Sequence, residues 1–253
     1  MARLSDRESL RREWEDFSAE WIARSDSGAD GDREGVLDDW MLEVVGDVTD
    51  LDVIDLGCGE GRFCRMLAVK GARARRRSAS GLHRPRAAQR RFGGEHRIGD
   101  FQQLTGVPDA GFDLAVSYIS LVDVPDQAAA VRERSGSWCR EGGSWCATCR
   151  QWRPPDDRRT PWHRRDDGTK LQFVLDHYAS EGARRAVFPS GHELTNIHRM
   201  LSTTINDFLD AGFVLTRVHE PLPTPAQLAR VPESDDLFRV PIFIIYDLAK
   251  PTS

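Results

Sequence analysis

Short apolar runs along the chain alternate with stretches of helical period, the pattern of buried parallel strands covered by helices. Val53 to Leu56 is the first such run. Phe112 to Ser117, Phe213 to His219 and Val240 to Leu248 repeat it. Between them lie predicted helices. Residues 5–24 form one, with Ser5 as N-cap and Glu8 completing a capping box. Trp14, Phe17 and Trp21 share its face at i, i+3 and i+7. Gly35 to Val45 and Arg62 to Lys70 read as two more. Asp126 caps a fourth. Residues 192–210 contain a fifth, with Ile197, Leu201, Ile205, Phe208 and Leu209 at helical spacing and Gly212 closing it. Residues 25–33 are polar and glycine-rich and read as a mobile linker.

The junction after the first strand carries the chemistry. Asp55-Leu-Gly57-Cys58-Gly59-Glu-Gly61 is a strand end, a tight turn and a helix start. Glycines belong there when a ligand must approach bare backbone. The nicotinamide fingerprint sets its third glycine one position later, where this chain has Arg62. Asp100, just past a third strand at His96 to Ile98, has Phe101 beside it. That pair suits an adenine, the carboxylate accepting from the exocyclic amine, but a helix N-cap explains Asp100 equally well.

The glycine spacing, with Asp55 before it, resembles the first motif of the class I S-adenosylmethionine-dependent methyltransferases. The fourth strand at Phe112 to Ser117, some 55–60 residues later, fits the same layout. The run Asn196-Ile-His-Arg-Met-Leu, Ala211-Gly-Phe, Glu220-Pro-Leu-Pro, Arg239-Val-Pro and Lys250-Pro resembles the C-terminal half of bacterial small-molecule methyltransferases. The resemblance implies a Rossmann-like, doubly wound α/β fold: a mostly parallel seven-stranded sheet with an antiparallel last strand. It implies S-adenosyl-L-methionine as cofactor, S-adenosyl-L-homocysteine as product, and methyl transfer to an O-, N- or C-nucleophile of a small molecule. Gly57, Cys58, Gly59 and Gly61 would take the donor's amino-acid end and Asp55 would orient the turn. Asp100 and Phe101 would take the adenine, and Ser117 and Tyr118 would line the pocket. Residues 1–34 would be a lid helix and linker, with Trp14, Phe17 and Trp21 facing donor and acceptor. The alternative for that face is plain packing on the domain. Residues 35–253 would be one domain, with an acceptor-covering insertion at about 158–192. Candidate bases are His192, His198 and Tyr178, although ordinary core or helix-end bonding accounts for each histidine as well.

Two segments depart from the pattern, and they put the second and fifth strands in doubt. Residues 72–93 hold Arg73, Arg75, Arg76, Arg77, Arg84, Arg86, Arg90 and Arg91, without an acid between Lys70 and Glu95 to take ribose hydroxyls. Three readings compete: a basic surface for nucleic acid, a disordered loop, or a segment translated out of its ancestral frame. Residues 134–157 place Gly142-Gly143 where a turn belongs, but a recognisable apolar strand does not follow, so this reads as a second segment displaced from its ancestral frame, with a metal site as the rival reading. Cys146 and Cys149 have a zinc-ligand spacing, with Cys139 and His163 near, yet a single pair falls short of a zinc site, and no metal is expected.

Composition narrows these choices. The net charge of −5 argues against a molecule built for a polyanion, although charge can be local. Bases also need aromatics to stack on, and only Phe92 is near the arginines. Two alternatives to the small-molecule enzyme stay open: a nucleic-acid-binding protein or nucleic-acid methyltransferase using Arg73 to Arg91, and an impaired remnant that binds the donor weakly. An apolar run long enough for a bilayer is absent. The N-terminus lacks the core of a secretion signal, and five cysteines make an odd count. A cytoplasmic location without a membrane partner is expected, and the acceptor and oligomeric state stay unspecified.

Overall fold

The computed structural model describes residues 7–28, 31–77, 110–136, 139–150, 162–188 and 190–252. Helix α1 (Arg7–Asp26) precedes a helical segment with one wide turn at Arg33–Leu37, which continues into α2 (Asp38–Val44). Strand β1 (Asp52–Leu56), helix α3 (Arg62–Val69) and strand β2 (Arg73–Arg77) follow. Next come β3 (Phe112–Tyr118), a short turn of helix at Leu121–Asp123, and α4 (Gln127–Gly136). Strand β4 (Cys139–Arg150) leads to two hairpins, β5 (Trp162–Arg164) with β6 (Lys170–Phe173) and β7 (Gly182–Val187) with β8 (Glu193–His198). Helix α5 (Leu201–Asp210), strand β9 (Val214–His219), helix α6 (Pro225–Arg230) and strand β10 (Phe243–Ala249) complete the chain.

Among the described residues the main sheet has six strands in the order β2-β1-β3-β4-β10-β9. β1 runs parallel to β2 and β3, and β3 parallel to β4. β10 runs antiparallel to both neighbours. This is the doubly wound sheet with a reversed last strand that the sequence implied. The third strand expected at 96–98 lies outside the described residues.

Side chains alternate across the sheet with period two. Ile54, Leu56, Ala115, Trp145, Ala147, Tyr246 and Leu248 enter one core with α4 and α5. Val53, Leu114, Val116, Cys146, Phe243 and Ile245 enter the other with α2 and α3. Both faces are covered, which explains why these strands read as continuous apolar runs.

Several expectations are corrected. The strands put in doubt both form. Arg73 to Arg77 pairs with Asp52 to Leu56 in unbroken parallel register. Backbone bonds to β1 define that strand, so its arginines do not prevent it. Ser144 to Arg150 pairs with β10, and Trp145 is fully buried against Phe208 and Phe213. Trp-Cys-Ala-Thr is thus a core strand, with Trp145 supplying the bulk. The described residues of the linker expected at 25–33 are largely helical, because α1 reaches Asp26 and residues 31–33 are helix. Residues 193–198 are strand rather than helix, paired with β7, and α5 starts only at Leu201. Ile197 therefore faces the core from a strand.

Candidate functional site

In an open α/β sheet, ligands bind beyond the strands' carboxyl ends, where the strand order reverses. Here that place lies between β1 and β3, since the chain leaves β1 toward β2 on one side and later fills β3 on the other. The glycine turn sits there. Gly57, Gly59 and Gly61 have φ of +81°, +54° and +84°, so this path is closed to ordinary side chains. The Gly61 N–H donates to the Cys58 carbonyl at 2.8 Å, folding the turn back onto the start of α3. Bare main chain and a helix N-terminus together suit an anionic group such as a carboxylate.

The turn is held from three sides. Beneath it, the Asp55 carboxylate is buried and accepts from Cys64 Sγ at 3.1 Å. From α1, Ser25 Oγ donates to Glu60 Oε1 at 2.9 Å, and Arg65 pairs with Glu60 Oε2 at 2.7 Å. From α2, buried Asp38 accepts both terminal nitrogens of Arg62, at 2.5 and 2.6 Å, and the Tyr118 hydroxyl at 2.6 Å. Tyr118 also stacks on Phe63 with centroids 4.9 Å apart. Burial first, then the Asp38 carboxylate, pushes the Tyr118 phenol well above its ordinary range. The Arg62 guanidinium is raised by Asp38 against the opposing effect of burial.

The end of β3 forms the second wall. Ser120 Oγ donates to the Leu56 carbonyl at 2.6 Å, and Ser117 Oγ to the same oxygen at 3.5 Å. Between them Ile119 has φ of +52°. A β-branched residue in that region is strained, and such strain clusters at ligand sites. Asp100 and Phe101 lie outside the described residues.

The predicted lid face packs on the β7–β8 hairpin. Phe17 is fully buried between Phe188 and His192, each with a centroid distance of 4.5 Å, and Trp21 meets Phe188 edge-on. Trp14 stands edge-on to Trp21 at 5.6 Å. Glu13 fastens the pair, taking Arg185 at 2.8 Å, the Thr195 N–H at 2.7 Å and the Thr195 hydroxyl at 3.1 Å. The hairpin is tied in turn to the loop after β3. Asn196 donates to Asp123 at 2.8 Å, and Arg199 donates to the carbonyls of Leu121, Val124 and Pro125.

The three candidate bases separate by surroundings. His198 Nε2 bonds the Tyr178 carbonyl at 2.8 Å, and burial lowers its pKa. The Tyr178 hydroxyl accepts from the Leu201 N–H at 2.7 Å, at the start of α5. His192 lies flat on Phe17 of the lid face. Sequence reading did not pick out Asp38, Arg62, Glu60, Glu13 or Ser120. The one available hint was Arg62 at the position where a nicotinamide fingerprint needs glycine.

Residues 54–144 match the model of the methyltransferase domain family. An S-adenosylmethionine-dependent methyltransferase from Mesorhizobium loti is 27% identical, with a TM-score of 0.70, and the alignment covers 83% of this chain and 95% of that one. Together the domain match and this relative support a class I S-adenosylmethionine-dependent methyltransferase. Two further solved methyltransferases share the fold. One is a 1,6-didemethyltoxoflavin-N1-methyltransferase from Burkholderia thailandensis, with bound 1,6-didemethyltoxoflavin and S-adenosylhomocysteine. It is 13% identical with a TM-score of 0.59, over 100% of this chain and 93% of that one. The other is a geranyl diphosphate C-methyltransferase from Streptomyces coelicolor, 14% identical with a TM-score of 0.56, over 85% and 75% of the two chains. A search of curated protein sequences finds no match. Among the described residues, no helix is long and apolar enough to cross a membrane, and no group of three or more His, Cys, Asp or Glu is placed to hold a metal ion.

Proposed function

We propose that the chain transfers a methyl group from S-adenosyl-L-methionine to a small-molecule acceptor held under α1 and the β7–β8 hairpin. The observation that carries this is the left-handed path of Gly57, Gly59 and Gly61 at the strand-order reversal. A glycine backbone of this shape, leading into the N-terminus of α3, fits the amino-acid end of the donor. The bound sulfonium supplies an electrophilic methyl carbon. The protein's tasks are then alignment and exclusion of water.

Main-chain N–H groups of the turn and of α3 take the donor carboxylate. Asp55 and Asp38 fix the turn from below and from the side, through Cys64 and Arg62. Ser117 and Ser120 hold the β1 and β3 ends together at the Leu56 carbonyl, which sets the width of the crevice. Trp14, Phe17 and Trp21, with Phe188, form an apolar aromatic wall that keeps water from the reacting centre. That wall favours an apolar or planar acceptor over a polyanion. His192 is the base on the lid side, available to an acceptor whose nucleophile carries a proton. His198 and Tyr178 hold the hairpin to α5. The protein works in the cytoplasm, and its partners are donor and acceptor.

Isothermal titration with S-adenosylhomocysteine tests the reading. One site per chain is expected, with an affinity unaffected by competing RNA. Absence of binding to the reduced, folded chain overturns the enzyme reading in favour of a non-binding remnant.

A further inference from the structure

Two thiols that methyl transfer does not use sit at the donor turn. Cys58 is in the turn and half-buried, while Cys64, in the first turn of α3, is buried. The Gly61 N–H bonds the Cys58 carbonyl at 2.8 Å and the Arg65 N–H bonds the Gly61 carbonyl at 3.1 Å, so turn and helix bring Cys58 and Cys64 to the same end of α3, where the Cys58 thiol neighbours that of Cys64. Cys64 Sγ also reaches the Asp55 carboxylate at 3.1 Å. Its contact with Cys58, its burial and the Asp55 charge push the Cys64 thiol up, so it stays protonated until something removes the proton. Cys58 is the sulfur that a soluble oxidant reaches first.

We propose that Cys58 and Cys64 form a redox modification site, which hydrogen peroxide converts to an intramolecular disulfide across the glycine turn, releasing the methyl donor. The peroxide first oxidises the Cys58 thiol to a sulfenic acid, giving one water. The Cys64 sulfur then attacks the Cys58 sulfur. Its proton passes to Asp55, the S–O bond breaks, and the departing hydroxide takes that proton from Asp55 as a second water. Two thiols lose two electrons and two protons, and one peroxide becomes two waters. The new bond draws Cys58 and its peptide toward α3, away from the space where the donor's amino-acid end lies. Only this last consequence rests on the donor reading.

The test uses the full chain, reduced, freed of reductant, treated with a small molar excess of hydrogen peroxide and alkylated. Trypsin cuts after Arg62, so the disulfide joins residues 34–62 to Phe63-Cys64-Arg65. The joined species is expected at about 2 Da below the summed thiol peptides, and dithiothreitol should abolish it. Affinity for S-adenosylhomocysteine should fall at least about tenfold on oxidation, a change of ~1.4 kcal/mol, and return on reduction. In Cys64→Ser the joined species should be missing, and peroxide should leave that variant's affinity within about twofold of its own untreated value, a difference under ~0.5 kcal/mol. The proposal is overturned if both cysteines are recovered alkylated, if the bridge maps to Cys139, Cys146 or Cys149, or if bridging leaves the affinity unchanged. If the bridge forms but the reduced chain binds no S-adenosylhomocysteine, the donor reading fails and the modification site stands.

Discussion

Replacing Asp38 with alanine should be among the most damaging single changes outside the glycine turn. Its side chain is 6% exposed and accepts three hydrogen bonds, two from Arg62 and one from Tyr118. Truncation strands a guanidinium that is only 17% exposed. Removing one partner of a buried ion pair costs about 3–5 kcal/mol, mostly from the charge left behind. For a chain of this size each kcal/mol moves the melting temperature by about 2–4 °C. A cost of ~4 kcal/mol therefore predicts a fall of roughly 8–16 °C, read by scanning calorimetry near pH 7.5. Tyr118→Phe removes only the bond from the phenol to Asp38, worth about 1.5–3 kcal/mol. The two changes share a partner, so the double variant should lose less than the sum of the singles. A fall of under ~3 °C in Asp38→Ala, or strict additivity in the double variant, would refute the reasoning, since either means that Asp38 does not bind Arg62 and Tyr118 at once.

Three further outcomes are expected. Gly61→Ala forces a Cβ into a backbone with φ of +84°, costing about 1–2 kcal/mol of stability, and S-adenosylhomocysteine affinity should fall by more than the stability loss explains; unchanged affinity by titration would argue against the turn as donor site. Glu13→Ala removes three bonds between α1 and the β7–β8 hairpin, so limited trypsin digestion should cut sooner at Arg12 and Arg24 while affinity for S-adenosylhomocysteine changes little; equal digestion rates would show that the latch does not hold α1. Burial lowers the pKa of His198 below 6.5 in the folded chain, so the unfolded chain binds more protons in that range; its contribution is complete above pH 6.5 and is lost as pH falls toward the folded value. Melting temperature should accordingly drop between about pH 7 and 5, and His198→Gln should flatten the drop; an unchanged slope would sink the assignment.

Local signals made the glycine turn readable. One strand end, three glycines and a helix start lie within eleven residues, and each residue type is needed where it stands. β3 and β10 were readable as apolar runs because both faces of the sheet are covered. β2 and β4 were not, for different reasons. Arg73 to Arg77 is a strand through its backbone bonds to β1, and composition does not record bonding partners. In β4 the bulk comes from one tryptophan flanked by small residues, so alternation was masked by cysteines that suggested a metal. The Glu193–His198 strand kept an apolar period compatible with helix, and only pairing with β7 decides it. The Asp38, Arg62 and Tyr118 network joins positions up to 80 residues apart, which periodicity cannot connect.

A crystal structure with S-adenosylhomocysteine bound measures the central claim most directly. The account predicts the ligand's carboxylate against the main chain of residues 57–61, with the rest of the molecule in the crevice between β1 and β3 and Ser25 still on Glu60. A ligand seated elsewhere, with the turn at Cys58 bare or closed by another molecule, would contradict it.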